Sequence, residues 1–358
     1  MSELLRTSLY EKHQALHAKN IGFCGWDMPV QYEGILKEYA ACREKAALFD
    51  TSHMGEFFFF GDIATSGVND AVSIDLTKLP VGKCKYGFLL NDKGGIIDDL
   101  ITYRMEETVL MFVVNASRRE VDFESIARCI TTGDLKDVSF ETSKIDLQGP
   151  LSKEFLQPLV HFSLDELKYF SFRQTEIFGH EVLVSRTGYT GELGFELYSP
   201  NLIAPDLWDA LIQVGATPAG LGARDLLRLE MGYSLYGNEL DEETSPLEAG
   251  LASFVHFDHA FVGKEALLKE KEDGSKRTLI AFETRSKRAP RHGFVISQNK
   301  QEIGIVTSGV YSPKVGSGIG LGYVNVADFN KNDIIEINNE RGSLEAYVTT
   351  LPFYKKEQ

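Results

Sequence analysis

The chain has 358 residues, 43% of them hydrophobic and 25% charged, and its 52 acids against 37 bases give a formal net charge of −15. At roughly 100–200 residues per domain, this length fits two or three domains. The acidic balance argues against a nucleic-acid or membrane-surface protein, both of which need a basic face, while a small anionic ligand needs only a few local Arg or Lys side chains.

In chain order, Met1 to Arg6 carries an early acid and no signal-peptide core. No later stretch reaches the roughly 20 apolar residues that span a bilayer, so a cytoplasmic protein is expected. Leu5, Leu9 and Leu16 among polar residues predict a helix over 3–19. Gly22 to Gln31 reads as a loop containing Trp26, Asp27 and Pro29. Residues 33–48 show a helical pattern that ends at Phe49-Asp50-Thr51-Ser52. A strand follows from Gly55 to Phe60, then a helix over 62–76. Tyr86 to Leu90, Ile96 to Arg104 and Val109 to Asn115 predict three strands joined by turns, with a helix from Arg118 to Ile130 packed on them. A second α+β block runs from about 139 to 235. Its strands lie near Val138 to Leu147, Gln174 to Ser185 and Gly194 to Ser199. Its helices lie near Ser152 to His161, Ala204 to Gln213 and Gly222 to Gly232. Lys264 to Arg277 reads as a charged helix and linker. From Thr278 onward, short strands alternate with turns: Leu279 to Glu283, Gly293 to Ser297, Glu302 to Ser308, Ile319 to Val324, Ile334 to Ile337 and Leu344 to Val348. That pattern predicts a small β-barrel or jelly-roll module.

The four cysteines, Cys24, Cys42, Cys84 and Cys129, match no CxxC or zinc spacing. Free, mostly buried thiols are expected, and no metal site.

Three runs carry candidate chemistry. In Asn91 to Leu100, a glycine turn leads into Ile96-Ile97-Asp98-Asp99. Strand side chains alternate faces, so one of the two carboxylates points inward with Ile97 and Ile101. An inward carboxylate is expensive unless paired, which makes one of this pair a candidate working group. In Ser185 to Leu197, Gly188, Gly191 and Gly194 force a tight loop that lets backbone approach a ligand. Glu196 then stands between Phe195 and Leu197. It reads either as the polar side of an exposed strand or as a carboxylate that accepts two N–H bonds from a planar heterocycle. In Pro218 to Glu230, Arg224 follows two glycines near a helix start, a place that favours anions. It reads equally as half of an ion pair with Asp225 or another acid. His53 at a strand entry is more often structural than catalytic, although its pKa makes it a candidate. The cluster Lys276, Arg277, Arg285, Lys287, Arg288, Arg291 and His292 reads as a solvated surface, or as a face for an acidic partner.

Taken together, these runs resemble the aminomethyltransferase (T-protein) family of the glycine cleavage system. The matching motifs are Phe23 to Pro29, Phe49 to Gly55, Gly94 to Asp99, Gln148-Gly149-Pro150, Ser185 to Glu196, Pro218 to Glu230, Phe261 to Leu267 and Thr307-Ser308-Gly309. They stand in family order along almost the full chain. The resemblance implies an α+β, three-domain clover-leaf: two mixed α/β sheet domains around a central folate channel, and a C-terminal β-barrel or jelly-roll-like domain. It implies a folate-binding region over 1–275, made of two interleaved α+β domains with the inner one at about 56–138, and a barrel over 276–358. Tetrahydrofolate is the implied co-substrate, with no metal, and lipoylated H-protein the implied partner. By matching position, Asp99 is the key acid, Glu196 and Arg224 contact folate, and Tyr86, Tyr103, Asn115 and Tyr189 line the channel. Two departures stand out. Ser253 lies where the family often has a tryptophan nearby, and Lys355 replaces a common arginine, losing its planar fork. A related folate-dependent demethylase is one alternative. A folate-binding iron–sulfur assembly factor is another, to whose motif Lys83-Cys84-Lys85-Tyr86-Gly87 is only faintly similar. The chain has no dinucleotide fingerprint, which argues against a dehydrogenase.

Overall fold

A computed structural model of the chain describes residues 4–325, 329–340 and 342–355. Met1 to Glu3, and with them the start of the expected first helix, lie outside the described residues. Only Tyr10–Ala15 of that helix forms (α1). Before it, Leu5 donates its N–H to the Gly25 carbonyl and accepts from Asp27 N, so the chain there lies extended along the following segment. That segment is a hairpin rather than a loop: β1 (Lys19–Phe23) and β2 (Trp26–Gln31) pair antiparallel. Cys24 and Gly25 have φ of 49° and 84°, as a two-residue hairpin turn demands. Pro29 is tolerated because a two-stranded ribbon has an outer edge that needs no donor.

Helix α2 (Ile35–Glu44) stops short of its expected end because Ala47–Asp50 straightens into a buried strand, β3. Strand β4 (Gly55–Phe60) stands where expected. The helix expected over 62–76 is replaced by two single 3₁₀ turns, Val68–Ala71 and Leu76–Lys78. Asp62 Oδ1 accepts from the N–H groups of Ala64 and Thr65, and Gly67 is left-handed at φ 86°, so the local polar bonds compete with helix. Then β5 (Cys84–Leu90), β6 (Ile96–Glu106), β7 (Val109–Val114) and α3 (Arg119–Cys129) follow the expectation closely. With β8 (Asp134–Asp137) the strands form a sheet ordered β5-β6-β7-β4-β8.

The second block supplies β9 (Thr142–Gln148), α4 (Ser152–Leu156), β10 (Phe172–Ile177), β11 (His180–Ser185), β12 (Gly194–Pro200), α5 (Ala204–Gln213), β13 (Thr217–Pro218) and α6 (Leu221–Met231). Gln174 to Ser185, read as one strand, is two. The chain folds back at Phe178 and Gly179, whose φ values are 53° and 78°. The sheet order is β10-β11-β12-β9-β3-β13, so β3 joins strands that come long after it in sequence. One face of this sheet buries Ile145, Leu147, Val182, Val184, Phe195 and Leu197 against Trp208 and Leu211 of α5. Helix α7 (Lys264–Asp273) precedes β14 (Thr278–Glu283), β15 (Val295–Gln298), β16 (Gln301–Ser312), β17 (Ser317–Val324), β18 (Ile334–Asn339) and β19 (Gly342–Thr349). These six close into the expected barrel, ordered β14-β17-β16-β15-β18-β19. Its interior is filled by Phe282, Ile296, Val306, Ile335 and Ile337.

The chain divides into two compact units, Met1–Gly87 with Leu100–Asp225, and Phe88–Asp99 with Leu226–Gln358. The tip of the β5–β6 hairpin therefore belongs with the barrel unit. The cysteines are all free, but only Cys42 and Cys84 are buried; Cys129 is half-buried and Cys24 exposed. Among the described residues, no helix is long and apolar enough to cross a membrane.

Candidate functional site

In the first unit, chemistry collects on the second face of the β9–β12 sheet. Alternation puts Lys144 and Asp146 on the side opposite Ile145 and Leu147. Across the ladder, Glu196 pairs with Asp146 and Tyr198 with Lys144, while Ser185 of β11 stands opposite Glu196. All five are buried, so this polar face is not the solvated one that its alternation suggests. Lys144 Nζ lies 2.7 Å from Glu196 Oε1 and 2.8 Å from Asp146 Oδ1, and Arg224 Nη1 lies 2.7 Å from Asp146 Oδ2. Thr51 adds a donor to Asp146 Oδ1 at 3.0 Å. Thr187 Oγ1 donates to Glu196 Oε2 at 2.5 Å, and the Tyr198 and Tyr103 hydroxyls stand 3.4 and 3.5 Å from the same oxygen.

Electrostatics follow from that geometry. Burial alone would strip Lys144 of its proton, but the charges of Asp146 and Glu196 outweigh it and raise its pKa. Burial would likewise raise Asp146, and Lys144 and Arg224 together pull it below the usual carboxylate range. Burial first, then the neighbouring thiol of Cys84 and the Glu196 carboxylate, push the Tyr103 hydroxyl well up, so it stays a donor. Tyr198 is raised by burial and by Glu196 as well.

The loop from Arg186 to Leu193 holds this face in place. A Cβ on Gly188 or on Gly194 would stand 2.1 Å from Gln148 Oε1. Close approach is thus to the chain's own Gln148, which donates to Thr187 O and accepts from Thr190 Oγ1. The buried Arg43 adds bonds to Thr190 O at 2.7 Å and Glu192 Oε1 at 3.0 Å. Two of the glycines read as ligand-approach residues, Gly188 and Gly194, are required first by packing.

Beside the charged face lies a second buried network. Asp50 Oδ2 accepts from Thr7 Oγ1 at 2.6 Å and bonds His13 Nε2 at 2.8 Å, while His13 Nδ1 meets the Tyr32 hydroxyl at 2.9 Å. Burial would raise Asp50, but the His13 bond and charge, with the Thr7 and Ser52 donors, hold it at about 2. His53 is buried, its Nδ1 has no hydrogen-bond partner, and its ring packs edge-on to Phe23 at 5.5 Å. Burial pushes its pKa down to about 4, with Arg224 and Lys144 adding to the effect. The expected hydrogen-bonded structural histidine is therefore a neutral imidazole with an unpartnered nitrogen.

The second unit carries the Asp98-Asp99 pair on the hairpin tip. Gly94 is left-handed at φ 83°, and a Cβ on Gly95 would meet the Glu242 carbonyl oxygen at 1.9 Å. Asn91 clamps the turn, accepting from Lys93 N and Gly95 N and donating to Glu242 O. The two carboxylates do face opposite ways, but the fully buried one is Asp98. Asp99 shares its side with Ile97 and Ile101 and is half-buried, because that side of the strand is only partly covered. In the same unit, Arg228 Nη1 bonds Glu239 Oε2 at 2.8 Å and Nη2 bonds Ser308 Oγ at 2.8 Å, while Thr307 Oγ1 donates to Glu239 Oε1 at 2.6 Å. The Thr307-Ser308 motif thus ties α6 to the barrel.

Of the sequence-predicted residues, Tyr103, Glu196, Arg224 and Tyr189 come together. The Arg224 guanidinium lies 5.0 Å over the Tyr189 ring. Its ion pair is with Asp146, not Asp225. Glu196 is not on an exposed strand. Tyr86 on β5 and Asn115 just after β7 are half-buried in the same unit, and Asp99 belongs to the other unit. Sequence reasoning passed over Lys144, Asp146, Thr187 and Tyr198. The signal was there: Lys144-Ile145-Asp146-Leu147-Gln148 alternates strictly and puts opposite charges two residues apart on one strand face. The cluster from Lys276 to His292 is largely exposed, as expected, except that Arg277 is held by Glu248 at 3.1 Å.

Two family models match the chain: the GCVT N-terminal domain over residues 9–259, and the glycine cleavage T-protein C-terminal barrel domain over residues 277–355. An aminomethyltransferase of Thermoanaerobacter pseudethanolicus is 42% identical over 364 residues, covering 99% of both chains. One of Thermotoga petrophila is 44% identical over 357 residues, covering 98% of both. The crystal structure of glycine cleavage system aminomethyltransferase T from Bartonella henselae superposes with a TM-score of 0.92 at 31% identity, covering 98% of each chain.

Proposed function

The chain belongs to the glycine cleavage T-protein family, the aminomethyltransferases, and we propose from that premise a specific reaction. The methylene carbon of aminomethyl-dihydrolipoyl H-protein passes to tetrahydrofolate. Its bonds to the lipoyl sulfur and to the amine nitrogen break, and two bonds to folate nitrogens form. The two protons that those nitrogens lose end on the thiol and the ammonia. The products are 5,10-methylenetetrahydrofolate, ammonia and dihydrolipoyl H-protein.

The observation that carries the folate half is the alternating chain Glu196–Lys144–Asp146–Arg224. It holds one carboxylate and one guanidinium in fixed places. A pterin is planar and rich in N–H donors, which suits Glu196: Oε2 is taken up by Thr187, Tyr198 and Tyr103, while Oε1 accepts from Lys144 alone among the described residues and keeps a lone pair. A glutamyl tail is anionic, which suits Arg224; Asp146 engages one end of its fork, and its side chain is 16% exposed. Tyr103, fully buried, backs Glu196, while Tyr86, Asn115 and Tyr189 line the ligand's path. Asp99 holds and polarises the attacking folate amine, an effect of orientation that pre-pays entropy. The folate-binding region is 1–275, with its inner α+β part at about 56–138, and the barrel is 276–358. The protein works in the cytoplasm, where its cysteines stay free.

The test is a coupled transfer assay with tetrahydrofolate and H-protein carrying the aminomethyl-lipoyl group. Release of methylenetetrahydrofolate and ammonia, dependent on this chain, is the expected outcome. Tight folate binding without turnover would instead favour a demethylase or an assembly factor.

A further inference from the structure

Glu196 and Asp146 stand directly opposite one another on β12 and β9, and both are buried. Like charges in that register destabilise a strand pair. Lys144, two residues along β9, resolves the conflict with one ammonium shared between them, 2.7 Å from Glu196 and 2.8 Å from Asp146. Arg224 then takes the other oxygen of Asp146 at 2.7 Å. The four charges alternate and cancel. Such a chain is poor evidence of stability, since apolar side chains of equal volume often do as well. Its two outer members are the groups that the folate reading assigns to the ligand. Its two inner members, Lys144 and Asp146, have 2% and 0% of their side chains exposed.

We infer that Lys144 and Asp146 are positioning residues of this site: Lys144 fixes the Glu196 carboxylate, Asp146 aims the Arg224 guanidinium over Tyr189, and the pair sets both groups as one unit. The inference rests on the folate reading above. Its physical content is pre-organisation. A long arginine and a glutamate that are already ordered lose less freedom when a ligand arrives.

The experiment is a double-mutant cycle on tetrahydrofolate affinity, titrated anaerobically on the full chain, with a thermal melt of each variant. The set is wild type, Lys144→Met, Glu196→Gln and the double variant. Lys144→Met should weaken the Kd by about tenfold or more, the size of a lost charge-assisted bond. In the Glu196→Gln background the same change should cost less than about twofold, because residues in one network are not additive. Asp146→Asn, which keeps volume and removes charge, should raise KM for tetrahydrofolate by a similar factor, with kcat within about twofold of wild type. A lower melting temperature with a wild-type Kd in Lys144→Met would overturn the inference, and so would equal losses in both backgrounds. If Lys144→Met does not fold, the same cycle is read from Asp146→Asn with Arg224→Ala, where additivity again counts against it. If the wild-type chain itself does not bind tetrahydrofolate, the folate reading fails and the positioning role falls with it.

Discussion

Asp99→Asn keeps the side chain's shape and removes its charge. Transfer by this variant should fall by about 10²–10⁴, the range for loss of a positioned acid or base, while tetrahydrofolate binding is partly retained. Wild-type turnover would remove Asp99 from the reaction. Arg224→Ala acts on the other quantity. It should weaken tetrahydrofolate affinity by about 10- to 100-fold, as loss of a charged hydrogen bond does; an unchanged dissociation constant would count against its role. The two variants therefore separate rate from affinity. Glu56 behaves differently from either. It is fully buried, neither of its oxygens has a hydrogen-bond partner, and burial raises its pKa well above the usual value despite Lys144. The folded state therefore favours the protonated acid, and its contribution is lost as pH rises above the unfolded pKa. Glu56→Gln should raise the melting temperature at pH 8, by about 1 to 2 °C for each kcal/mol recovered in a chain of this size. Near pH 4 it should change little. A variant that melts below wild type at pH 8 would refute this account.

At the scale of the element, the β5–β6 turn shows how closely a glycine can be specified. Gly95→Ala would drive a methyl into the Glu242 carbonyl, and should cost about 1–3 kcal/mol or more in denaturant unfolding, as overpacking does. Transfer should fall as well, since Asp99 sits four residues on along β6. Normal stability and rate would show that the turn moves freely. This turn was legible from Asn91-Asp92-Lys93-Gly94-Gly95, because its glycines sit between the apolar run Phe88-Leu89-Leu90 and the β-branched run that starts at Ile96. So were β4, β7, α3, α5 and the barrel strands, where periodicity and turn residues agree. Other elements were not, for identifiable reasons. Leu5, Leu9 and Leu16 have helical spacing, yet Leu5 is claimed by strand-like bonds to the β1–β2 hairpin. Asp62 and Gly67 break the helix expected over 62–76. The candidate site divides in the same way. Glu196 and Arg224 are marked by glycines close in sequence, whereas Lys144 and Asp146 matter through a register that β9 and β12 set across some fifty residues. Local pattern marks two opposite charges on one face of β9 but carries no trace of the register that brings Glu196 against them.

For the molecule as a whole, buried titratable groups fix how stability depends on pH, and they do so in the first unit. His53 has a folded pKa of about 4 against an ordinary value of 6.5. Between those values the unfolded chain binds the extra proton, so stability falls as pH drops through that window. Asp50 has a folded value of about 2 against 3.8, so the stability it contributes is present above the unfolded value and is lost as pH falls from about 4 to 2. Asp146, also depressed, adds to this lower step. The acid limb should therefore have two stages, about 3 kcal/mol from His53, offset in part by Glu56 as it takes up its proton, and then about 2 kcal/mol from Asp50, at about 1.4 kcal/mol for each pH decade of shift. The chain has two tryptophans, Trp26 and Trp208, and both lie in the first unit. Tryptophan fluorescence in urea thus reports on the unit that holds these groups. His53→Gln should flatten the midpoint between pH 6.5 and 4 and leave the drop below pH 4 intact. If the variant keeps the wild-type slope in the upper window, protonation of His53 is not what weakens the fold there, and the unpartnered Nδ1 has a bonding partner in solution.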